Sequence, residues 1–280
     1  MANGTSREKT SFKLVERSDY KNDLDVPSAC YHIFETFKMV FAMWKITMPL
    51  LLISVVLLIS LTGLITESSF RDAGVWVMCV IVFLMLWLTT IFALRQKLAG
   101  NKVGLRDTLY NSMGPLAATL VMFLLAAIQC IPLMLLVIAY ASAVETNFLS
   151  MPFYAFLFLV FAGLMILISG YLLSGTLMAM TAVTAPGLYP YEALKATNEM
   201  MRGQRIKFVI RLIALFIVVG VMWVIVVWPT ASLMGQTPFT SIVAMIMGCF
   251  SAIFVAVYFY LYYRFLIDGM NSSSKKKKRE

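Results

Sequence analysis

The chain contains one histidine, His32, and four cysteines, Cys30, Cys79, Cys130 and Cys249, with no C-x-x-C pair among them. Acidic residues number 14, and charged residues of either sign make up 13% of the 280, about half the share found in soluble domains. These shortages exclude the usual chemistries one by one. A single histidine and isolated cysteines leave no spacing for a metal site or a disulfide framework. Paired acids, or a nucleophile beside its base, are also missing from the pattern. The sequence therefore reads as non-enzymatic, with no cofactor and no metal.

Hydrocarbon fills the space the charges leave. Hydrophobic residues are 61% of the chain, against about 45–50% in soluble proteins, which indicates an integral membrane protein. A formal charge of +9 would suggest nucleic acid in a soluble chain. Here the cations cluster beside apolar runs, so the partner they fit is an anionic lipid surface and not nucleic acid.

A span needs roughly 20 apolar residues to cross about 30 Å of hydrocarbon. Six stretches qualify, at about 47–66, 74–94, 114–142, 152–182, 206–228 and 239–267. Pro132 is expected to kink the third, because proline removes a helical hydrogen bond. The opening residues 1–26 are polar throughout, so no cleavable signal is expected and the first span should direct insertion. The basic residues set the orientation. Seven fall before the first span, four in the second connection, five in the fourth and six at the C-terminal end, leaving only Arg71 of the 23 on the other side. Six spans with both termini cytoplasmic follow.

Between Leu188 and Ile213 the apolar sequence gives way to LYPYEALKATNEMMRGQRIKFVIRLI. Pro190 suits a first helical turn and Gly203 a stop. Ala193, Leu194, Thr197, Met200 and Met201 share one helical face, while Glu192, Lys195, Glu199 and Arg202 share the other. That pattern predicts a short amphipathic helix lying in the interface. A similar helix precedes the first span, with Ile33, Phe34, Phe37, Val40, Phe41 and Trp44 as its apolar face, and a shorter one, GLRDTLYNSMGP, precedes the third. The predicted fold is thus all-α: six transmembrane helices as three hairpins, each preceded by a cytoplasmic interfacial elbow. The divisions are a polar segment 1–26, a membrane domain 27–268 and a basic tail 269–280.

The third elbow, PYEALKATNEMMRG, resembles the signature of a bacterial six-span membrane family. The matching residues are Pro190, Glu192, Ala193, Leu194, Thr197, Met201 and Gly203. That family includes the membrane domain attached to some glycerophosphodiester phosphodiesterases. The resemblance implies the six-span plan and a bacterial inner membrane. It does not bring the phosphodiesterase activity, which belongs to a separate soluble domain. The terminal KKRE also fits a dilysine retrieval pattern, which keeps the endoplasmic reticulum membrane as the alternative location.

Few side chains inside the spans are polar. Gln129 is the most conspicuous, and it reads either as lining a cavity with Ser169 and Ser174 or as an interhelical hydrogen bond. Lys275, Lys276, Lys277, Lys278 and Arg279 follow a serine linker and suit contact with anionic lipid. Two functions stand: an accessory or scaffold protein engaging headgroups or a membrane partner, and a transporter or channel for a small or lipidic substrate. The lack of ionisable residues deep in the spans favours the first.

Overall fold

A computed structural model describes residues 29–64, 68–101, 104–146, 150–185, 187–235 and 237–277, with side chains described outside 61–73, 75–76 and 269–277. The polar segment 1–26, together with Lys278 and Arg279, lies outside the described residues. Among those described, the chain is all-helical and contains no strand. In order the helices are α1 (Ala29–Ala42), α2 (Trp44–Leu64), α3 (Ser68–Leu98), α4 (Leu105–Ser112) and α5 (Leu116–Gln129). The rest are α6 (Ile131–Glu145), α7 (Pro152–Ala182), α8 (Pro190–Met200), α9 (Arg205–Met234) and α10 (Pro238–Lys277).

Among the described residues, four segments are long and apolar enough to cross a bilayer: Val77–Leu98, Pro152–Ala182, Arg205–Met234 and Pro238–Asp268. The number rises to six if each of two bent pairs is one span: α1 with α2, bent by 83°, and α4 with α5, bent by 66°. This is the helix content of a membrane protein.

α10 forms the centre. Phe254, Ala256, Val257 and Tyr258 are buried on successive sides of it, as expected of a helix apolar all round. Around it pack Trp87, Ile91 and Leu94 of α3, Met178 and Ala179 of α7, and Phe208 and Leu215 of α9. The first half of α7 (Phe153, Phe156, Leu159) and the second half of α9 (Phe216, Val224, Trp228) are instead exposed. Those surfaces are apolar and suit contact with acyl chains.

α1, α4 and α8 share an arrangement that the apolar pattern does not show. Each buries one threonine: Thr36 in α1, Thr108 in α4 and Thr197 in α8. Its hydroxyl donates to the carbonyl four residues back, on His32 at 2.7 Å, Gly104 at 2.6 Å and Ala193 at 2.8 Å. Four residues later comes a second buried residue, Val40, Ser112 and Met201 respectively. Three residues before each threonine, Ile33, Leu105 and Leu194 are half-buried against the core. Aligned on the threonine, the three segments turn corresponding positions inward. The Lys97 ammonium donates to the Ala42 carbonyl, and Arg95 donates to the Thr184 carbonyl at 3.1 Å, tying the end of α3 to both neighbours.

Three expectations are corrected. The third apolar stretch is not one kinked helix: α5 ends at Gln129, α6 starts at Ile131, and Pro132 occupies the first turn of the new helix. There its missing N–H leaves no bond unmade. The serine segment after Met270 is not a flexible linker either, since α10 continues to Lys277. Prolonging an existing helix needs no new nucleus, so serines there are tolerated. The apolar face expected before the first span is divided. Phe34 and Phe41 of α1 and Trp44 at the start of α2 are exposed, whereas Val40 is buried beside His32 and Thr36, with Ile33 and Phe37 half-buried.

Candidate functional site

The polar feature best built for binding lies where α7, α8 and α9 meet. Tyr189 is extended, Pro190 opens α8, and the helix stops at Met200. Gly203 then takes a φ of 82°, a left-handed conformation that favours glycine, and α9 begins at Arg205. α8 is thereby folded back onto α7, and Gly175 allows the contact. A Cβ at Gly175 would lie 2.1 Å from the Asn198 Oδ1. The Thr197 hydroxyl, whose proton goes to the Ala193 carbonyl at 2.8 Å, lies 3.2 Å from the Gly175 carbonyl across the contact.

This docking positions Asn198, which in turn positions Arg205. The Arg205 Nη2 donates to Asn198 Oδ1 at 3.1 Å. The same guanidinium lies over the Tyr171 ring of α7, its Cζ 4.5 Å from the centroid, within cation–π range. Beside it opens a groove of about 540 Å³ lined by Lys195, Glu199, Arg202 and Arg205, with Tyr171 and Ile206 among its walls. Three cations thus face one carboxylate. Glu199 forms no ion pair with them; among the described residues the ion pair is Arg264 with Asp268. The arrangement can hold an anion.

The elbow residues singled out by sequence fall in different places. Leu194 and Gly203 line the groove, Met201 is fully buried, and Glu192 is exposed. Tyr171, Asn198 and Arg205 were not marked by sequence. Arg205 counted there only as an orienting charge, and the ring beneath it comes from a helix 34 positions earlier.

Gln129, Ser169 and Ser174 do not line this groove. The Ser169 hydroxyl donates to the Gln129 carbonyl at 2.8 Å, and Thr176 donates to Gln129 Oε1 at 2.6 Å. Because α5 ends at Gln129, its carbonyl lacks a helical partner, and the serine of α7 supplies one. Ser174 donates within its own helix, to the Tyr171 carbonyl at 2.7 Å. Thr176→Val should lower stability by about 0.6–2 kcal/mol, the range for such bonds in membranes. Thermal unfolding in detergent measures it. A loss well above that range would show that the pair does more than join α5 to α7.

A second buried polar group stands beside α10. His32 of α1 packs edge-on against Tyr258, Tyr262 and Phe265, with ring centroids 6.5, 6.0 and 5.5 Å away. The Arg211 guanidinium of α9 lies over Tyr262 at 5.3 Å. Arg211, counted from sequence among the surface cations, is 7% exposed. Burial, and secondarily the Arg211 charge, push His32 down to about 4, so its imidazole is neutral at pH 7. The chain matches no protein-family model, no curated protein and no solved structure.

Proposed function

We propose that the chain is a non-enzymatic membrane protein that acts as a scaffold or accessory protein by engaging anionic lipid headgroups at its elbow face. On this reading it has six spans arranged as three hairpins, each led by a short interfacial helix, with both termini in the cytoplasm. The observation that carries the proposal is the cationic groove at α8, where Lys195, Arg202 and Arg205 outnumber Glu199. Support comes from the charge partition, since 22 of 23 basic residues fall on the elbow side of the six stretches. The threonine-centred arrangement shared by α1, α4 and α8 supports a threefold plan. The resemblance of the third elbow to the bacterial six-span family extends the reading to an inner membrane. Exposed Tyr110, Tyr189 and Tyr191 on α4 and beside or on α8 suit the headgroup layer, where amphipathic rings concentrate.

Two measurements test it. Reporter fusions should place Gly203 in the cytoplasm and Gly235 outside, and finding both on one side would overturn the six-span plan. Purified protein in mixed-lipid nanodiscs should enrich anionic over zwitterionic lipid around it, with the enrichment weakening as salt rises. Equal lipid composition at low and high salt would count against headgroup engagement.

A further inference from the structure

We infer that the α7–α8–α9 groove is a one-to-one site for the phosphodiester of an anionic phospholipid, with Arg205 contacting the phosphate. The inference rests on the lipid-engagement reading and narrows it from attraction by a charged face to a single built site.

Three features support a phosphate. Arg205 is already oriented, one edge held by Asn198 at 3.1 Å and its face resting on Tyr171. A planar guanidinium fixed in this way matches phosphate oxygens in a manner that a mobile lysine cannot. Lys195 of α8 and Arg202 of the turn that follows it add charge, and both are exposed on the groove. The groove also contains the start of α9, a helix of 30 residues whose N-cap residue Gln204 makes no side-chain cap. Its first-turn amides carry partial positive charge and require acceptors from outside the helix.

The flanking surface selects a lipid over a soluble phosphate. Tyr171 and Ile206, which wall the groove, are 51% and 74% exposed. They continue into the exposed apolar residues Leu167 on α7 and Ile210 on α9. The groove therefore opens sideways onto the apolar flank of the molecule. A ligand filling it places a phosphate against Arg205 and an acyl chain along that flank. A choline headgroup would bring its own cation beside Lys195 and Arg202, so an anionic lipid is favoured.

The test is native mass spectrometry of the full chain in mild detergent, titrated with phosphatidylglycerol, phosphatidylcholine or glycerol 3-phosphate. One phosphatidylglycerol should bind per chain, about tenfold more tightly than phosphatidylcholine. Arg205→Gln and Arg202→Gln should each weaken that first step about tenfold, as loss of a charge-assisted bond predicts. Arg205→Lys should not restore it, because it keeps the charge and loses the fork. Lys38→Gln, which removes an exposed cation on α1, should leave it unchanged. Arg202 is exposed, so its variant folds even if the Arg205 variants do not. Wild-type binding by Arg202→Gln together with either Arg205 variant would overturn the site. Displacement of the lipid by an equal concentration of glycerol 3-phosphate would overturn the lipid as occupant. Anionic preference that persists without a one-to-one step overturns the site alone, whereas no anionic preference at all overturns the engagement reading beneath it.

Discussion

Gly175→Val is expected to remove most of the correctly folded protein, while Gly163→Ala in the same helix leaves yield at or slightly above wild type. The two glycines both lie within α7, but their surroundings differ. Nothing lies within 4 Å of a Cβ built at Gly163, and replacing a helical glycine by alanine gains about 0.5–1 kcal/mol. At Gly175 a Cβ meets Asn198 Oδ1 at 2.1 Å and its Cγ at 3.1 Å. Turning the amide cannot relieve both contacts, and Arg205 holds that oxygen in place. Alanine at 175 should cost about 1–3 kcal/mol as overpacking does, and valine more, since it adds two further methyl groups at a site where the Cβ alone already overlaps Asn198. Fluorescence-detected size exclusion and thermal midpoints in detergent report the order. Wild-type behaviour of Gly175→Val would mean that α8 does not dock on α7.

The parts of this structure that could be read from sequence are those set by periodicity and by charge. α8 begins at Pro190 as its sequence indicates, since the proline and the alternation of faces act within a few residues. The apolar stretches correspond to helices for the same reason. What could not be read depends on partners distant in sequence. Phe34 and Phe41 of α1 and Trp44 at the start of α2 belong to the apolar face that the sequence offers, yet they are exposed. In a membrane both sides of a helix can be apolar, so hydrophobicity does not distinguish protein from lipid. Close helix contact instead selects small residues, which is why Thr36, Thr108 and Thr197 turn inward. The break at Cys130 was hidden because an apolar run reads alike across one helix or two. The groove was hidden because Tyr171 and Arg205 meet only once α8 has folded back at Gly203.

The second large effect follows from that inward face. Met201→Asp is expected to be far more damaging than Leu194→Asp, although both residues fall on the apolar stripe of the elbow. Met201 is 0% exposed, whereas Leu194 is half-buried and borders the groove beside Lys195 and Arg202. A carboxylate at 201 would be enclosed within the apolar core, and an uncompensated buried charge costs about 3–5 kcal/mol. That is a large share of a typical stability of about 5–15 kcal/mol. At 194 the carboxylate can reach solvent and neighbouring cations, so its cost should be smaller. Glu192→Gln, on the exposed face, should change stability by under about 1 kcal/mol. Met201→Leu keeps volume and polarity and should cost under about 1.5 kcal/mol, which separates burial of charge from loss of methionine itself. Thermal unfolding of the four variants in one detergent measures the series. If Leu194→Asp proves as damaging as Met201→Asp, the elbow turns its leucine inward as its apolar stripe implies, and the threonine-centred face is not the one that docks.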